Sequence, residues 1–422
     1  MTSNPVSQTS QSLQARYAEL QGANYQLDLT RGKPSPDQLA LANALDGILD
    51  GDYAAEDGTD VRGYGGLDGI AEAKRLGGWL LDMAPERVLV GGNSSLTLMY
   101  QALLFANQFG FDGPGSAWRL RAGQPKIICP VPGYDRHFAI CESLGIDMLN
   151  VPMGPDGPDL DAIESILAVD DDVCGMFAVP KFSNPGGEVY ADSTVRRLAE
   201  IVAAAPPYFR LIWDNAYAVH GLDKDDVAPP VLNIASRCEA LGAGDRVLSF
   251  ASTSKVTFAG AGLAFLGASP QNLADFSRHL AISTIGPDKV NQLRHARFLP
   301  NREALLAHMA KQAAILKPKF DLVEAKLDAA FGADGRVQWT RPGGGYFVSF
   351  FTEPGLASRV VTLASDAGVK LTPAGAAYPY GYDPEDRHIR LAPSFPSLDE
   401  LERAMDVFVV CVALASGEQT GR

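Results

Sequence analysis

Residues 211–217 read Leu-Ile-Trp-Asp-Asn-Ala-Tyr, an apolar run that ends in a carboxylate. Residues 247–255 follow the same plan, since the apolar run at 247–250 leads into Ser-Thr-Ser-Lys at 252–255. Short apolar runs of this kind predict buried β-strands, and helical stretches lie between or after them. This alternation predicts an α/β fold whose mostly parallel sheet is covered by helices.

The same patterns extend outward along the chain. Buried strands are predicted at residues 87–90, 126–129, 173–179, 211–213 and 247–250. Helices are predicted at residues 97–108, 134–144, 193–204 and 272–282, followed by a long helical stretch at 288–331 that breaks near Pro300. Beyond it the pattern becomes a mixture of strands at 337–339, 346–351, 369–371 and 388–391 with helices at 354–367 and 397–415. This change places a domain boundary near residue 318, and residues 1–11 are predicted to form a mobile polar arm.

Composition excludes several classes of function. The formal charge of −14 disfavours binding to nucleic acid or to an anionic membrane, both of which need clustered Lys and Arg. Five cysteines without a C-x-x-C pair predict buried free thiols, with neither a disulfide framework nor a zinc site. The polar N-terminus and the short apolar runs predict no signal peptide and no membrane span, so we expect a cytoplasmic protein.

Polar residues follow four of the predicted strands, at the end of a parallel sheet where ligands usually bind. They are Asn93, Ser94 and Ser95; Asn184; Asp214 and Tyr217; and Ser252 and Lys255. Each group alone also fits an ordinary helix cap, turn or solvent-exposed lysine. Their combination is more specific, because Asn184, Asp214 and Lys255 end successive buried strands.

This set matches the needs of pyridoxal phosphate. Lys255 would hold the cofactor as a Schiff base, and Asp214 would keep the pyridine nitrogen protonated, which makes the ring an electron sink. Asn184 and Tyr217 would bind the ring hydroxyl, and Tyr134 would stack on the ring face. The loop at Asn93, Ser94 and Ser95, together with Ser252, would hold the phosphate. No metal is predicted.

Further motifs reveal a resemblance. Residues 64–69 read Tyr-Gly-Gly-Leu-Asp-Gly, residues 343–347 read Gly-Gly-Gly-Tyr-Phe, and residues 388–391 read His-Ile-Arg-Leu. With the set above, they make the chain similar to fold-type I pyridoxal-phosphate aminotransferases of class I/II over nearly its whole length. The stretches at 29–35 and 284–295 are similar to an aspartate aminotransferase subgroup.

The resemblance implies roles and an architecture. Arg390 would clamp the substrate α-carboxylate, and Tyr64 would reach the cofactor phosphate of a neighbouring subunit, which implies a homodimer. The N-terminal arm and part of the small domain would occupy residues 1–50, the large cofactor-binding domain residues 51–317, and the rest of the small domain residues 318–422. Ala264 departs from the family, because many relatives carry a phosphate-binding Arg at this position. Hydroxyls, backbone amides and the partner's Tyr64 would then hold the phosphate.

The expected reaction is a ping-pong amino transfer between an L-amino acid and a 2-oxo acid such as 2-oxoglutarate. Arg31, Gly32 and Lys33 lie where relatives approach the substrate side chain, and a cation there favours aspartate or glutamate. Arg390 and Asn184 complete the predicted substrate site. Another amino-acid donor and a pyridoxal-phosphate lyase on the same fold remain alternatives. A non-catalytic sensing domain is disfavoured, because few residues precede Leu27 to form a DNA-binding unit. A dehydrogenase is disfavoured because residues 260–265 lack the third glycine of a dinucleotide loop.

Overall fold

The computed structural model describes residues 10–333 and 335–420. Its strands are β1 (Leu27–Asp28), β2 (Val88–Val90), β3 (Lys126–Val131), β4 (Asp147–Gly154), β5 (Gly157–Pro158), β6 (Val173–Ala178), β7 (Arg210–Asp214), β8 (Val247–Ser252), β9 (Ala264–Ala268), β10 (Gln338–Trp339), β11 (Val348–Phe351), β12 (Val369–Lys370) and β13 (His388–Leu391). Its α-helices are α1 (Ser10–Gly22), α2 (Pro36–Ala40), α3 (Ala71–Leu81), α4 (Ser95–Gln108), α5 (Asp135–Leu144), α6 (Leu160–Leu167), α7 (Asp192–Ala204), α8 (Ile234–Ala240), α9 (Pro270–Ser283), α10 (Lys289–Phe298), α11 (Arg302–Phe331), α12 (Ala357–Asp366) and α13 (Leu398–Thr420).

A large sheet with the strand order β2-β9-β8-β7-β6-β3-β4-β5 forms the centre of the molecule. β9 runs antiparallel to both of its neighbours and β5 antiparallel to β4, whereas the other pairs are parallel. The predicted α/β fold with a mostly parallel sheet is therefore confirmed. Because β6, β7 and β8 are parallel neighbours, the segments that follow them lie side by side at one end of the sheet.

Most predicted elements are present with ends shifted by a few residues, and β13 has the predicted bounds. The sequence analysis did not predict α3, β4 or β9. β4 contains Pro152 and β9 consists partly of Ala and Gly, so both lack the residues that favour strands. The arm predicted for residues 1–11 is wrong at residues 10 and 11, which begin α1, while residues 1–9 lie outside the described part of the chain.

The two ends of the chain share one apolar core. Strand β1 pairs in parallel with β12, with Leu27 opposite Val369, and β10, β11 and β13 form an antiparallel sheet nearby. Leu29 lies in the same core cluster as Phe320 and Phe408, whereas Leu49 belongs to a cluster in the large-sheet region. These contacts support the proposed small domain for the segment around Leu29, whereas the end of the proposed 1–50 segment packs with the large region.

Helix α11 joins the two regions without a break. Met309 and Ala313 pack in the cluster beside the large sheet, whereas Leu316 and Val323 pack in the cluster of the small region. The proposed boundary between 51–317 and 318–422 therefore falls inside a continuous helix, where burial changes from one core to the other. Pro318 lies inside this helix, close to the point where burial changes.

The predicted buried thiols are confirmed, since all five cysteines are free and buried. Across residues 10–333 and 335–420, no helix combines the length and apolar character needed to cross a membrane.

Replacement of Phe350 tests the small core. Its ring is fully buried and lies 5.1 Å from the ring of Phe408 and 5.9 Å from that of Phe331, measured between centroids. Phe350→Ala is expected to lower the free energy of unfolding by about 3–5 kcal/mol, because it leaves a cavity among these rings. Urea unfolding followed by circular dichroism measures the change. The half-buried Phe351 on the same strand provides the control, and equal losses in Phe351→Ala and Phe350→Ala would contradict this account.

Candidate active site

A cavity of about 580 Å³ opens where the carboxyl ends of the central strands face the small region. Most of the predicted site residues line it together: Arg31, Gly32, Lys33, Tyr134, Asn184, Asp214, Tyr217, Lys255 and Arg390. The parallel register of β6, β7 and β8 accounts for this convergence, because Asn184, Asp214 and Lys255 lie at or just after the ends of these strands.

Asp214, the last residue of β7, is a buried carboxylate with one partner and one free oxygen. His137 Nε2 lies 3.1 Å from Asp214 Oδ2, and the His137 ring stacks on Phe177 with the centroids 4.3 Å apart. Asp214 Oδ1 is buried and has no hydrogen-bond partner among the described residues. Since an unsatisfied buried acceptor is costly, this oxygen is suited to a cationic N–H donor in the cavity.

Lys255 is half-buried and lines the same cavity. Its Nζ lies 5.0 Å from the centroid of the Tyr217 ring. Burial lowers the pKa of Lys255, and the charge of Asp214 opposes that shift in part. A lowered pKa brings the amine closer to its neutral, nucleophilic form.

Two buried side chains surround the backbone of Lys255. His220 Nε2 lies 3.4 Å from the Lys255 carbonyl oxygen, and the Tyr346 hydroxyl donates to the same oxygen over 3.4 Å. Burial lowers the pKa of His220 to about 3, so its ring is neutral. Gln38 Nε2 in turn donates to the Tyr346 hydroxyl over 3.0 Å, which ties the N-terminal segment to the lysine.

Arg390 on β13 is a buried cation held from several sides. Its Nη1 donates to Asp135 Oδ1 over 3.1 Å and to Asn184 Oδ1 over 3.3 Å. Its guanidinium lies 4.8 Å from the centroid of the Phe347 ring, and its Nε has no hydrogen-bond partner among the described residues. These contacts fix a forked donor in the cavity wall, a geometry suited to a carboxylate.

The predicted phosphate loop lies beside this cavity but does not line it, and the same holds for Ser252. Ser94 occupies the N-cap position of α4 and Ser95 begins the helix, yet the Ser94 hydroxyl makes no capping hydrogen bond. Asn93 Nδ2 donates to the carbonyl of Gly260 over 3.0 Å, so this side chain anchors the loop. The Ser254 hydroxyl donates to the Asn93 carbonyl over 2.8 Å, which places the loop next to the strand end that carries Lys255.

Ala264 contributes no cation at this loop. It begins β9 opposite Ser252, and its methyl group is fully buried in an apolar core cluster. Its backbone accepts a hydrogen bond from Gly91 N over 2.8 Å and donates to Gly92 O over 2.7 Å. Residue 264 therefore supports the loop through its backbone alone.

The three candidates for the substrate side chain differ in their surroundings. Lys33 Nζ lies 3.7 Å from the centroid of the Phe395 ring, so its charge makes a cation–π contact. The Arg31 guanidinium has no hydrogen bond or ion pair to any described residue. Gly32 has a steric role, since a Cβ there would come within 2.5 Å of the Phe347 ring.

Tyr64 does not join the cavity of its own chain. Its side chain is 91% exposed, and Lys289 Nζ donates to the carbonyl of the adjacent Gly65 over 2.6 Å. Lys289 thus holds the segment that carries Tyr64.

Sequence analysis missed several residues of the site. His137, Asp135 and Arg136 follow Tyr134 at the start of α5, and Arg136 lines the cavity. The position of His137 one helical turn after Tyr134 was a usable signal, because residues three apart share a helix face. Nothing in the sequence around either residue predicts the ion pair between Asp135 and Arg390.

Comparisons with known proteins identify the relatives of this chain. The family model described as "Aspartate amino-transferase" matches residues 1–422. An aspartate aminotransferase of Corynebacterium glutamicum is 47% identical over 407 residues, covering 96% of this chain and 93% of that protein. A crystal structure of an aspartate transaminase from the same organism has a TM-score of 0.93 at 45% identity and covers 99% of this chain and 98% of that one.

A more distant structure shows the same fold. It is the α-aminoadipate aminotransferase LysN of Thermus thermophilus in complex with N-(5'-phosphopyridoxyl)-L-leucine, with a TM-score of 0.75 at 20% identity. It covers 98% of this chain and 96% of that one.

Fold and comparisons together define an aminotransferase of the pyridoxal-phosphate-dependent transferase fold. More particularly, the chain belongs to the aspartate aminotransferase family, whose members use pyridoxal phosphate.

Replacement of His137 tests the support of Asp214. His137→Leu is expected to weaken binding of pyridoxal phosphate about tenfold or more, because it leaves the buried carboxylate without its protein partner. His137→Asn keeps a donor at this position and is expected to retain more of the affinity. Titration of cofactor-depleted protein with pyridoxal phosphate, followed by visible absorbance, measures both. Equal affinities in His137→Leu and the unaltered protein would show that Asp214 does not depend on His137.

Proposed function

We propose that this aminotransferase moves the amino group of L-aspartate or L-glutamate to a 2-oxo acid such as 2-oxoglutarate, with Lys255 as the attachment point of pyridoxal phosphate. The observation that carries the proposal is the free, buried Oδ1 of Asp214, in the cavity that also holds the Lys255 amine and the Arg390 guanidinium. An acceptor, a nucleophile and a carboxylate clamp are thus combined in one site.

The residues present fit pyridoxal phosphate. The free oxygen of Asp214 suits a protonated pyridine nitrogen, and the neighbouring Asn184 and Tyr217 suit the ring hydroxyl. Tyr134 lies on the cavity wall and suits the ring face. The unused hydroxyl of Ser94, at the N-terminus of the 14-residue helix α4, suits a phosphate, together with Asn93, Ser95 and Ser252.

The side chains divide the chemistry between them. When bound, pyridoxal phosphate supplies an electron sink for the charge that develops at the substrate Cα. Arg390 binds the α-carboxylate and so orients the Cα bonds, while Asn184 shares a hydrogen bond with Arg390. Lys255 would take the proton from the substrate Cα and deliver it again within the same half-reaction, acting as general base and then as general acid. Burial of its amine supports this role, because it depresses the pKa of Lys255.

The charge of Arg31 supports a dicarboxylic substrate. Its guanidinium lines the cavity without a partner among the described residues, whereas the charge of Lys33 rests on Phe395. Arg31 is exposed, and a second carboxylate on the substrate would give it an ion pair at the cavity wall. We therefore infer that Arg31 recognises the substrate side chain.

We also propose a cytoplasmic homodimer in which Tyr64 serves the site of the other subunit. The 91% exposure of Tyr64 supports this proposal, since a large aromatic side chain is rarely left fully in solvent.

The half-reaction with aspartate tests the function. Incubated with L-aspartate and no 2-oxo acid, the holoprotein is expected to release one oxaloacetate per site and to lose its visible cofactor band. Lys255→Ala is expected to release none, because it removes both the attachment point and the base. Lys224→Ala removes an exposed lysine and is the matched control. Release of oxaloacetate by Lys255→Ala at the rate of the unaltered protein would refute the assignment.

Substrate selectivity tests Arg31. Arg31→Ala is expected to lower kcat/KM for aspartate about 10–100-fold, the range of one charge-assisted hydrogen-bonded contact, while kcat/KM for alanine changes by less than about twofold. Steady-state kinetics with both donors measures the difference. Arg136→Ala removes the same charge from another part of the cavity wall and is the control. Equal losses for aspartate and alanine, or a selective loss in Arg136→Ala alone, would contradict the role of Arg31.

A further inference from the structure

A second cavity, which we call the rear cavity, lies behind the chain segment that carries the catalytic residues. Its volume of about 610 Å³ is close to that of the active-site cavity. It is bounded by the end of α3, the loop before α8 and the start of α11, with Trp79, Trp213 and Leu305 among its apolar walls. This size is typical of pockets for small organic ligands.

Residues of the segment 213–219 alternate between the two cavities. Asp214 and Tyr217 line the active-site cavity, whereas Trp213, Asn215 and Ala218 line the rear cavity. The alternation at 213–215 is the one expected where a strand ends, because successive side chains point to opposite faces. The backbone of this segment therefore separates the two cavities.

The rear cavity carries more positive than negative charge. Lys181, Arg75 and Arg302 line it, and Asp82 is the single carboxylate among its described lining residues. Arg75 is neutralised by an ion pair with Glu56. The Arg302 guanidinium has no hydrogen bond or ion pair to any described residue, so its charge is available.

Lys181 is the most buried of these cations. Its Nζ donates to the carbonyl oxygen of Ala218 over 3.0 Å, the only protein hydrogen bond that the described residues give this ammonium. Burial lowers the pKa of Lys181 to about 8, and the nearby charge of Arg302 acts in the same direction, opposed by Asp226 and Asp82. The ammonium is thus mostly charged at neutral pH, and Asp226 and Asp82 act on it more strongly than Arg302 does.

We propose that the rear cavity is a second ligand site, which binds a small organic carboxylate with an apolar body. The carboxylate lies on Lys181 and Arg302, and the apolar body packs against Trp79 and Trp213. This proposal is independent of the amino acid that the active site accepts.

Occupation of this site reaches the catalytic residues through Lys181. Lys181 precedes Asn184 by three residues, and its bond to Ala218 holds the residue that follows Tyr217. A carboxylate that draws the Lys181 ammonium away from the Ala218 carbonyl shifts the segment that leads to Asn184 and the segment that follows Tyr217. Because coupling between sites is reciprocal, binding at one cavity changes affinity at the other.

Calorimetric titration of the holoprotein with phenylacetate tests the proposal. Succinate, an unreactive dicarboxylate, is present at saturation to fill the active site. One phenylacetate per chain is expected to bind, and Lys181→Met is expected to weaken it about tenfold or more because the ion pair is lost. Lys181→Arg keeps the charge and is expected to restore most of the affinity.

Matched variants separate the two cavities. Arg302→Met changes an exposed residue at the start of α11 and is expected to weaken phenylacetate in the same direction, which keeps the test decisive if Lys181→Met does not fold. Arg136→Met removes a cation from the active-site cavity and is expected to leave the affinity unchanged. Absence of binding, full displacement by succinate, or equal affinity in Lys181→Met, Arg302→Met and the unaltered protein would overturn the proposal. Lys181→Met and Arg302→Met change the rear cavity and leave the residues of the active-site cavity in place, so failure of the aspartate half-reaction would not by itself overturn this proposal.

Discussion

The carboxylate of Asp214 is buried at the end of a central strand, and the site is arranged around this charge. Burial of an ionised carboxylate is costly unless hydrogen bonds compensate for it. His137 satisfies one oxygen, and the stacking of its ring on Phe177 fixes the direction of that bond. The other oxygen has no hydrogen-bond partner among the described residues. Folding thus maintains a buried acceptor that would be satisfied by a cationic N–H donor, as proposed for the cofactor ring.

The buried cation Arg390 depends on both halves of the molecule. Arg390 lies on a strand of the small region, but its guanidinium is held by Asp135 and Asn184 of the large one. The N-terminal segment also packs at this junction. Because residue 32 is a glycine, its backbone can lie against the Phe347 ring, and this ring packs against the Arg390 guanidinium. Pre-positioned in this way, the guanidinium loses little conformational freedom when a carboxylate binds.

Backbone contacts at residue 264 hold the loop that precedes α4. Ala264 hydrogen-bonds to Gly91 and Gly92 and packs its methyl group in the core, which brings the loop before α4 against the strand end of Lys255. The side-chain amide of Asn93 donates to the carbonyl of Gly260, which helps to hold the loop in place. Several hydrogen bonds therefore hold the loop, and the Ser94 hydroxyl at the start of α4 makes no capping hydrogen bond.

The sequence by itself determined the class of fold and the main chemical groups. Apolar runs and helical periodicity are local properties, so the strands that end near Asn184, Asp214 and Lys255 were predictable, and β13 with Arg390 was predicted to its exact bounds. Only the tertiary structure decided which groups meet. His137 and Asp214 are 77 residues apart, and Asp135 and Arg390 are 255 apart. β9 lies antiparallel between β2 and β8, and the Lys33 ammonium lies over the Phe395 ring. The local sequence predicts neither of these arrangements. The physical reason is that strand order and packing at the junction set these pairings, and both depend on burial across the whole chain rather than on neighbours in sequence.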